Sequence, residues 1–186
     1  MFREPDGRPC IVERPLDYIH PQRLQLPAPV SSAAARAALD PVLVRALGLA
    51  VTADQDGFDP AWLRLWLDNW QRMPKIACLL GAYLQWPFLA YGGASRYLTV
   101  SERAFAACEI GARDAEPLGD RLAPRLRIEA IGLAALLAWR PQLPLAFGRS
   151  LPLLFSPDLE ALQWQFSRRP IDAALLVLGV QHARHG

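Results

Sequence analysis

The sequence predicts an all-α protein: a compact single domain over residues 1–186, of about seven to nine short helices, with a proline-rich and mostly extended N-terminal segment over residues 1–30. Three observations carry this. Apolar residues recur at three- and four-residue spacing through most of the chain. Most of the 17 prolines stand beside capping residues, where a helix would begin or end. The two apolar runs that compete as strands, LPLLF at residues 151–155 and ALLVLGV at residues 174–180, lack the alternating helices and glycine-rich turns of a parallel sheet. With 52% hydrophobic and 20% charged residues, the chain has the material for one sizeable core.

From Met1 to about Pro29 the periodicity is too weak for a long helix. Ile11, Val12, Leu16, Tyr18, Ile19, Leu24 and Leu26 are apolar anchors that dock this segment on the core, so it is not expected to be a free tail. Ser31 or Ser32 caps a helix through the alanines to Leu39, and Asp40 with Pro41 restarts one through Leu49. A turn follows at Asp54 to Gly57.

The clearest signals lie between Asp59 and Gly81. Asp59 caps a helix, Pro60 suits its first position, and Trp62, Trp66 and Trp70 form one apolar stripe with Leu63, Leu67 and Met73. An aromatic row at this spacing is core rather than a ligand box. Pro74 breaks that helix and opens a second, which ends at Trp86 and Pro87; a short helical turn then closes at the Gly92–Gly93 pair. Thr99 and Glu102 stand at capping-box spacing before a helix through Ala104 to Ile110. Gly111 to Gly119 reads as an exposed polar loop. A helix from about Pro124 to Trp139 has a nearly uncharged second half, buried on most sides. Pro141, Pro144 and Pro152 cut the next stretch into short pieces; Ser156 and Pro157 start a helix to about Ser167, and Pro170 starts the last one, Ile171 to about Arg184.

Composition excludes several classes of function. The net charge is +2 with no run of Lys or Arg, so nucleic acid is not an expected partner. The longest apolar block, Ala130 to Trp139, has ten residues, against the roughly 20 that span a bilayer, and no amphipathic helix rich in Lys or Arg suggests a membrane surface. The opening MFREPDGRPC lacks the apolar run of a signal peptide, and three widely spaced cysteines, Cys10, Cys78 and Cys108, suit reduced thiols. A cytosolic protein without direct membrane insertion is expected.

No catalytic constellation emerges. His182 and His185 lie three apart at the chain end without a matching second pair, which reads as a solvated tail. Cys78 and Cys108 sit among apolar residues, where a thiol is buried and inert. Glu102, Glu109, Asp158 and Glu160 fall on solvated faces or first helical turns. The expectation is therefore no enzyme and no catalytic, cofactor or metal site. The rival class, a small helical enzyme or ligand-binding domain, requires a closed pocket with converging polar groups.

Three blocks carry a resemblance: PLDYIHPQRL at residues 15–24, LWLDNWQRMPKIACLLG at residues 65–81, and LPLLFSP at residues 151–157, followed by an apolar last helix ending in VQHARHG. Their order and spacing resemble the accessory protein of the bacterial type III secretion sorting platform, the family called SctK, OrgA, MxiK or PscK, with the OrgA branch the most similar. The sequence departs from that pattern at Val12, Glu13 and Arg14, before the first proline of the block. The resemblance implies a virulence-associated adaptor on the cytoplasmic face of the injectisome at the inner membrane. Its implied partners are the pod protein of the platform and the forkhead-associated domain of the inner-membrane ring, with the stalk protein and ATPase reached indirectly and no cofactor. The candidate partner-binding residues are Tyr18, His20, Arg23, Arg168 and Arg169. Tyr18 and His20 either pin their segment to the helical core or contact a partner directly. Arg23 is either a buried pair or an interface anchor, and Arg168 with Arg169 forms a solvated corner or a docking point.

Overall fold

Among the described residues of this computed structural model, eight α-helices carry the fold: α1 (Ala33–Ala46), α2 (Pro60–Asp68), α3 (Met73–Tyr91), α4 (Val100–Ala107), α5 (Pro124–Leu137), α6 (Leu145–Ser150), α7 (Pro157–Gln163) and α8 (Ala173–His185). The structure describes residues 11–30, 32–50, 58–91, 93–111, 113, 122–168 and 170–185, and no strand occurs among them. The chain is all-α, as its periodicity predicts. Cys10, Ser31, the Asp54–Gly57 turn and nearly all of the loop expected over residues 111–119 lie outside the described residues. Two compact units form, one from residues 1–71 and 140–157, the other from residues 72–139 and 158–186.

In the first unit, residues 11–30 contain only single 3-10 turns, at Ile11–Glu13, Pro15–Asp17 and Ala28–Val30. Val12, Pro15 and Tyr18 are nonetheless buried. Ser32 Oγ accepts the Ala35 N–H and starts α1. The sequence predicts a break at Asp40, but α1 runs through Asp40 and Pro41 without restarting. The reason is that the Asp40 carboxylate is not available as a cap: Oδ1 accepts the Leu16 N–H at 3.0 Å, which ties the N-terminal segment to α1. Gly48, with φ +62°, stops the helix short of Leu49 in the left-handed conformation that a side chain would strain.

Asp59 Oδ1 accepts the Ala61 N–H at 2.9 Å and Pro60 takes the first turn, so α2 starts where its capping chemistry predicts. Trp66 and Trp70 are fully buried, and Trp62 is half-buried. Trp70 stands between two rings, edge-on to Tyr18 at 5.8 Å and to Phe147 at 5.9 Å. The tryptophan stripe is core.

In the second unit α3 and α5 cross backbone against backbone. Gly81 lies against the Ile128 carbonyl and Gly132 against the Ala77 carbonyl, leaving no room for a Cβ at either. The predicted helix end at Trp86 and Pro87 is not observed: α3 continues to Tyr91. A proline inside a helix costs about 3 kcal/mol. Here that cost is offset because continuing the helix buries Leu89 completely among Ala82, Leu98, Ala106 and Ile128, a gain of about 1.5–3 kcal/mol for the side chain alone.

Both bonds of the predicted capping box form at α4: Thr99 Oγ1 accepts the Glu102 N–H at 3.2 Å, and Glu102 Oε2 accepts the Thr99 N–H at 2.8 Å. The helix ends at Ala107 rather than Ile110. The uncharged half of α5 is buried, as expected. Asp172 Oδ1 accepts the Ala174 N–H at 2.7 Å, and α8 therefore begins after Asp172 rather than at Pro170. Along α8, Gly179 meets Ile76, Leu80 and Phe105 at ordinary contact distance.

Candidate functional site

The first unit brings the YIHP loop onto the turn over residues 151–155. The His20 N–H donates to the Leu153 carbonyl at 2.8 Å. Arg23 straddles the same turn: Nε donates to the Phe155 carbonyl at 2.7 Å and an Nη to the Pro152 carbonyl at 3.1 Å. Tyr18 donates its hydroxyl to the Val12 carbonyl at 3.2 Å, and His20 Nδ1 accepts the Gln22 N–H at 3.3 Å. Upstream, an Arg36 Nη donates to the Leu16 carbonyl at 2.5 Å and reaches Asp17 at 3.4 Å. Burial pushes the Asp40 carboxyl above its ordinary range, against the pull of the Leu16 N–H. Of the predicted partner-binding residues, Tyr18, His20 and Arg23 are thus brought together, with polar atoms engaged inside their own unit. Arg168 belongs to the second unit, and Arg169 lies outside the described residues.

The second unit holds a charged cluster that sequence reading misses. An Arg125 Nη donates to both Glu102 oxygens at 2.7 and 2.8 Å, Nε donates to Glu129 Oε1 at 2.7 Å, and the other Nη reaches Cys78 Sγ at 3.2 Å. Burial works against the charge on Glu102, but the Thr99 N–H and the Arg125 guanidinium outweigh it and hold the carboxyl below the usual range. Glu102 is in the first turn of α4 as expected, yet buried rather than solvated. Burial pushes the Cys78 thiol up to about 12, so it stays protonated and unreactive. Cys108 is exposed, contrary to its apolar sequence surroundings, because α4 stops one residue before it. His182 is no solvated tail: Nε2 lies 2.9 Å from Ser101 Oγ and 3.0 Å from the Ser101 carbonyl, and its ring packs 5.4 Å from Phe105. Among the described residues no group of three or more His, Cys, Asp or Glu could hold a metal ion.

Beyond the end of α7, Arg168 stacks on Trp164, its guanidinium carbon 3.7 Å from the ring centroid, while Nε donates to Gln163 Oε1 at 3.1 Å. Trp164 is 68% exposed. The signal that could have found it is a tryptophan beside Gln163 and Gln165, away from the apolar face of its helix. Arranged this way, Trp164 and Arg168 offer a flat, polar-edged surface suited to contact rather than to bond making.

Residues 10–185 match the family described as bacterial type III secretion apparatus protein (OrgA_MxiK). The chain is 33% identical over 176 residues to the oxygen-regulated invasion protein OrgA in three strains of Salmonella typhimurium, covering 94% of this chain and 85% of that protein. No solved structure matches it. Among the described residues, no helix is long and apolar enough to cross a membrane.

Proposed function

Because the chain belongs to the bacterial type III secretion apparatus family OrgA_MxiK, we propose that it is a non-enzymatic adaptor of the cytoplasmic sorting platform, linking the pod protein to the forkhead-associated domain of the inner-membrane ring. The observation that carries this reading is the exposed Trp164 stacked under Arg168, since Trp and Arg are the residue types that anchor protein interfaces. In this role the protein acts in the cytoplasm and is recruited to the inner-membrane face of the injectisome, with the stalk protein and ATPase reached through the pod protein. Tyr18, His20 and Arg23 contribute by fixing the shape of their loop, and Arg168 with Arg169 contributes contact.

The test is co-purification of the folded full chain with each proposed neighbour, followed by Trp164→Ala. Capture of the pod protein, with weaker capture of the ring domain, and loss of one of them in the variant is the expected result. A folded chain that retains neither neighbour overturns the adaptor reading.

A further inference from the structure

Helix α1 is patterned in the wrong sense for a helix that faces water. A surface helix ordinarily turns its charges outward and its apolar residues inward. In α1 two of the three charged residues are engaged on the inner side: Asp40 accepts the Leu16 N–H, and Arg36 donates to the Leu16 carbonyl and pairs with Asp17. The exposed side carries Ala34, Ala37, Ala38, Pro41 and Val42, with Arg45 as its charge. Val42 is 59% exposed.

Helix α6 extends this surface. An Arg149 Nη donates to the Gly48 carbonyl at 3.0 Å and so holds α6 beside the C-terminal end of α1. Leu145 and Arg149 are the exposed residues of α6, and four positions apart they share one side of it. Leu145 is 57% exposed, and Leu47, next to Gly48, is exposed as well. The first unit therefore presents three large apolar side chains on two adjoining helix ends, together with two arginines.

Charge selects the occupant. Residues 32–50 and 140–157 contain one carboxylate, Asp40, and it is buried. The surface is apolar and cationic, so its complement is apolar and anionic. A second copy of this chain does not supply that complement, because a symmetric contact brings the same arginines together with no acid between them. An anionic bilayer calls for Trp, Phe or Lys along the helix, and α1 has none of these. A protein helix whose apolar stripe is flanked by Asp or Glu meets both requirements, and the small alanine side chains let its axis come close.

We propose that the surface formed by α1 and α6 docks an acidic amphipathic helix of a secretion-apparatus partner, its apolar side on Val42 and Leu145 and its carboxylates on Arg45 and Arg149. The proposal rests on the adaptor reading. To the Trp164–Arg168 stack of the second unit it adds a contact carried by the first.

The experiment measures binding of the full chain to the pod protein and to the ring's forkhead-associated domain by calorimetry, for wild type, Arg45→Glu and Ala38→Glu. Both positions are exposed and Glu is a good helix former, so the risk to folding is small; circular dichroism confirms it. For one partner, each variant should weaken binding at least about tenfold. Replacing that partner's Asp and Glu residues one at a time by Lys should find a position that weakens binding to wild type and restores binding to Arg45→Glu. If wild type binds neither protein, the adaptor reading fails and the docking surface with it. If wild type binds and the folded variants bind as tightly, or if no partner carboxylate couples to Arg45, the docking surface alone is wrong. Sedimentation and flotation with phosphatidylglycerol vesicles cover the other occupants: a dimer or a vesicle complex that Arg45→Glu abolishes, with both proteins still bound, overturns the proposal.

Discussion

Arg23 donates its Nε–H to the Phe155 carbonyl across 132 residues of sequence, and the same guanidinium takes up the Pro152 carbonyl. Arg23→Ala leaves both half-buried carbonyls without this donor and should lower stability by about 1.5–3 kcal/mol, the range for hydrogen bonds to a charged group. Arg23→Lys should recover less than half of the loss, because an ammonium cannot present a planar fork to two acceptors. Urea unfolding of the three proteins checks this; a loss within about 0.5 kcal/mol would class the fork with ordinary surface contacts.

Gly132 and Gly179 predict opposite outcomes for the same substitution. A methyl at Gly132 collides with the Ala77 backbone, which cannot swing aside as a side chain would. Gly132→Ala should therefore cost at least about 3 kcal/mol or prevent folding. At Gly179 the nearest atoms are side-chain carbons at 3.6 Å. Gly179→Ala should be neutral or raise stability by up to about 1 kcal/mol through better helix propensity. Thermal melts of both variants decide the matter.

Trp66 has no exposed surface. Trp66→Ala should cost about 3–5 kcal/mol, as expected for truncating a buried aromatic. A variant as stable as the parent that has lost a binding partner would make the stripe an interface instead of core.

Glu102 predicts a pH dependence whose sign follows from its lowered folded-state pKa. Such a group stabilises the fold at pH values above its unfolded pKa, and that contribution disappears as pH falls through the folded value. Glu102→Gln should be about 1–3 kcal/mol less stable than wild type at pH 7. The difference should begin to shrink near the ordinary carboxylate value of 4.5 and fade further below it. Asp40 is shifted the other way, so the readout is the difference between the two proteins across pH, not the wild-type curve alone.

Helix starts are legible in the sequence because capping is local: Asp59 with Pro60, and Thr99 with Glu102, complete their bonds within three residues. The all-α class and the burial of Trp66 and Trp70 follow from spacing alone. Legibility fails where a group has a distant claimant. Asp40 resembles a cap until Leu16 takes its carboxylate, and Pro87 resembles a helix end until the burial of Leu89 is counted. Glu102 shows its cap but not Arg125, which stands 23 residues away. Gly81 and Gly132 are ordinary helical glycines until the crossing helix is known. Of the candidate partner residues, Tyr18, His20 and Arg23 emerge as one block, but their acceptors at Pro152, Leu153 and Phe155 come from another. Trp164 is legible only as one aromatic residue off the apolar face of its predicted helix, a weaker signal than a repeating stripe, and its stacking under Arg168 is not legible at all.

Neither unit is continuous in sequence: the chain leaves the first after Gln71, returns at Arg140 and leaves again after Pro157. During synthesis the YIHP loop therefore emerges well before the carbonyls of Pro152, Leu153 and Phe155 that will hold it. The first unit cannot close until its second segment has cleared the ribosome, and by then most of the second unit has already been made. A nascent chain truncated before Arg140 would lack Phe147, one of the two rings that enclose Trp70, and would leave that side of the tryptophan open to chaperones.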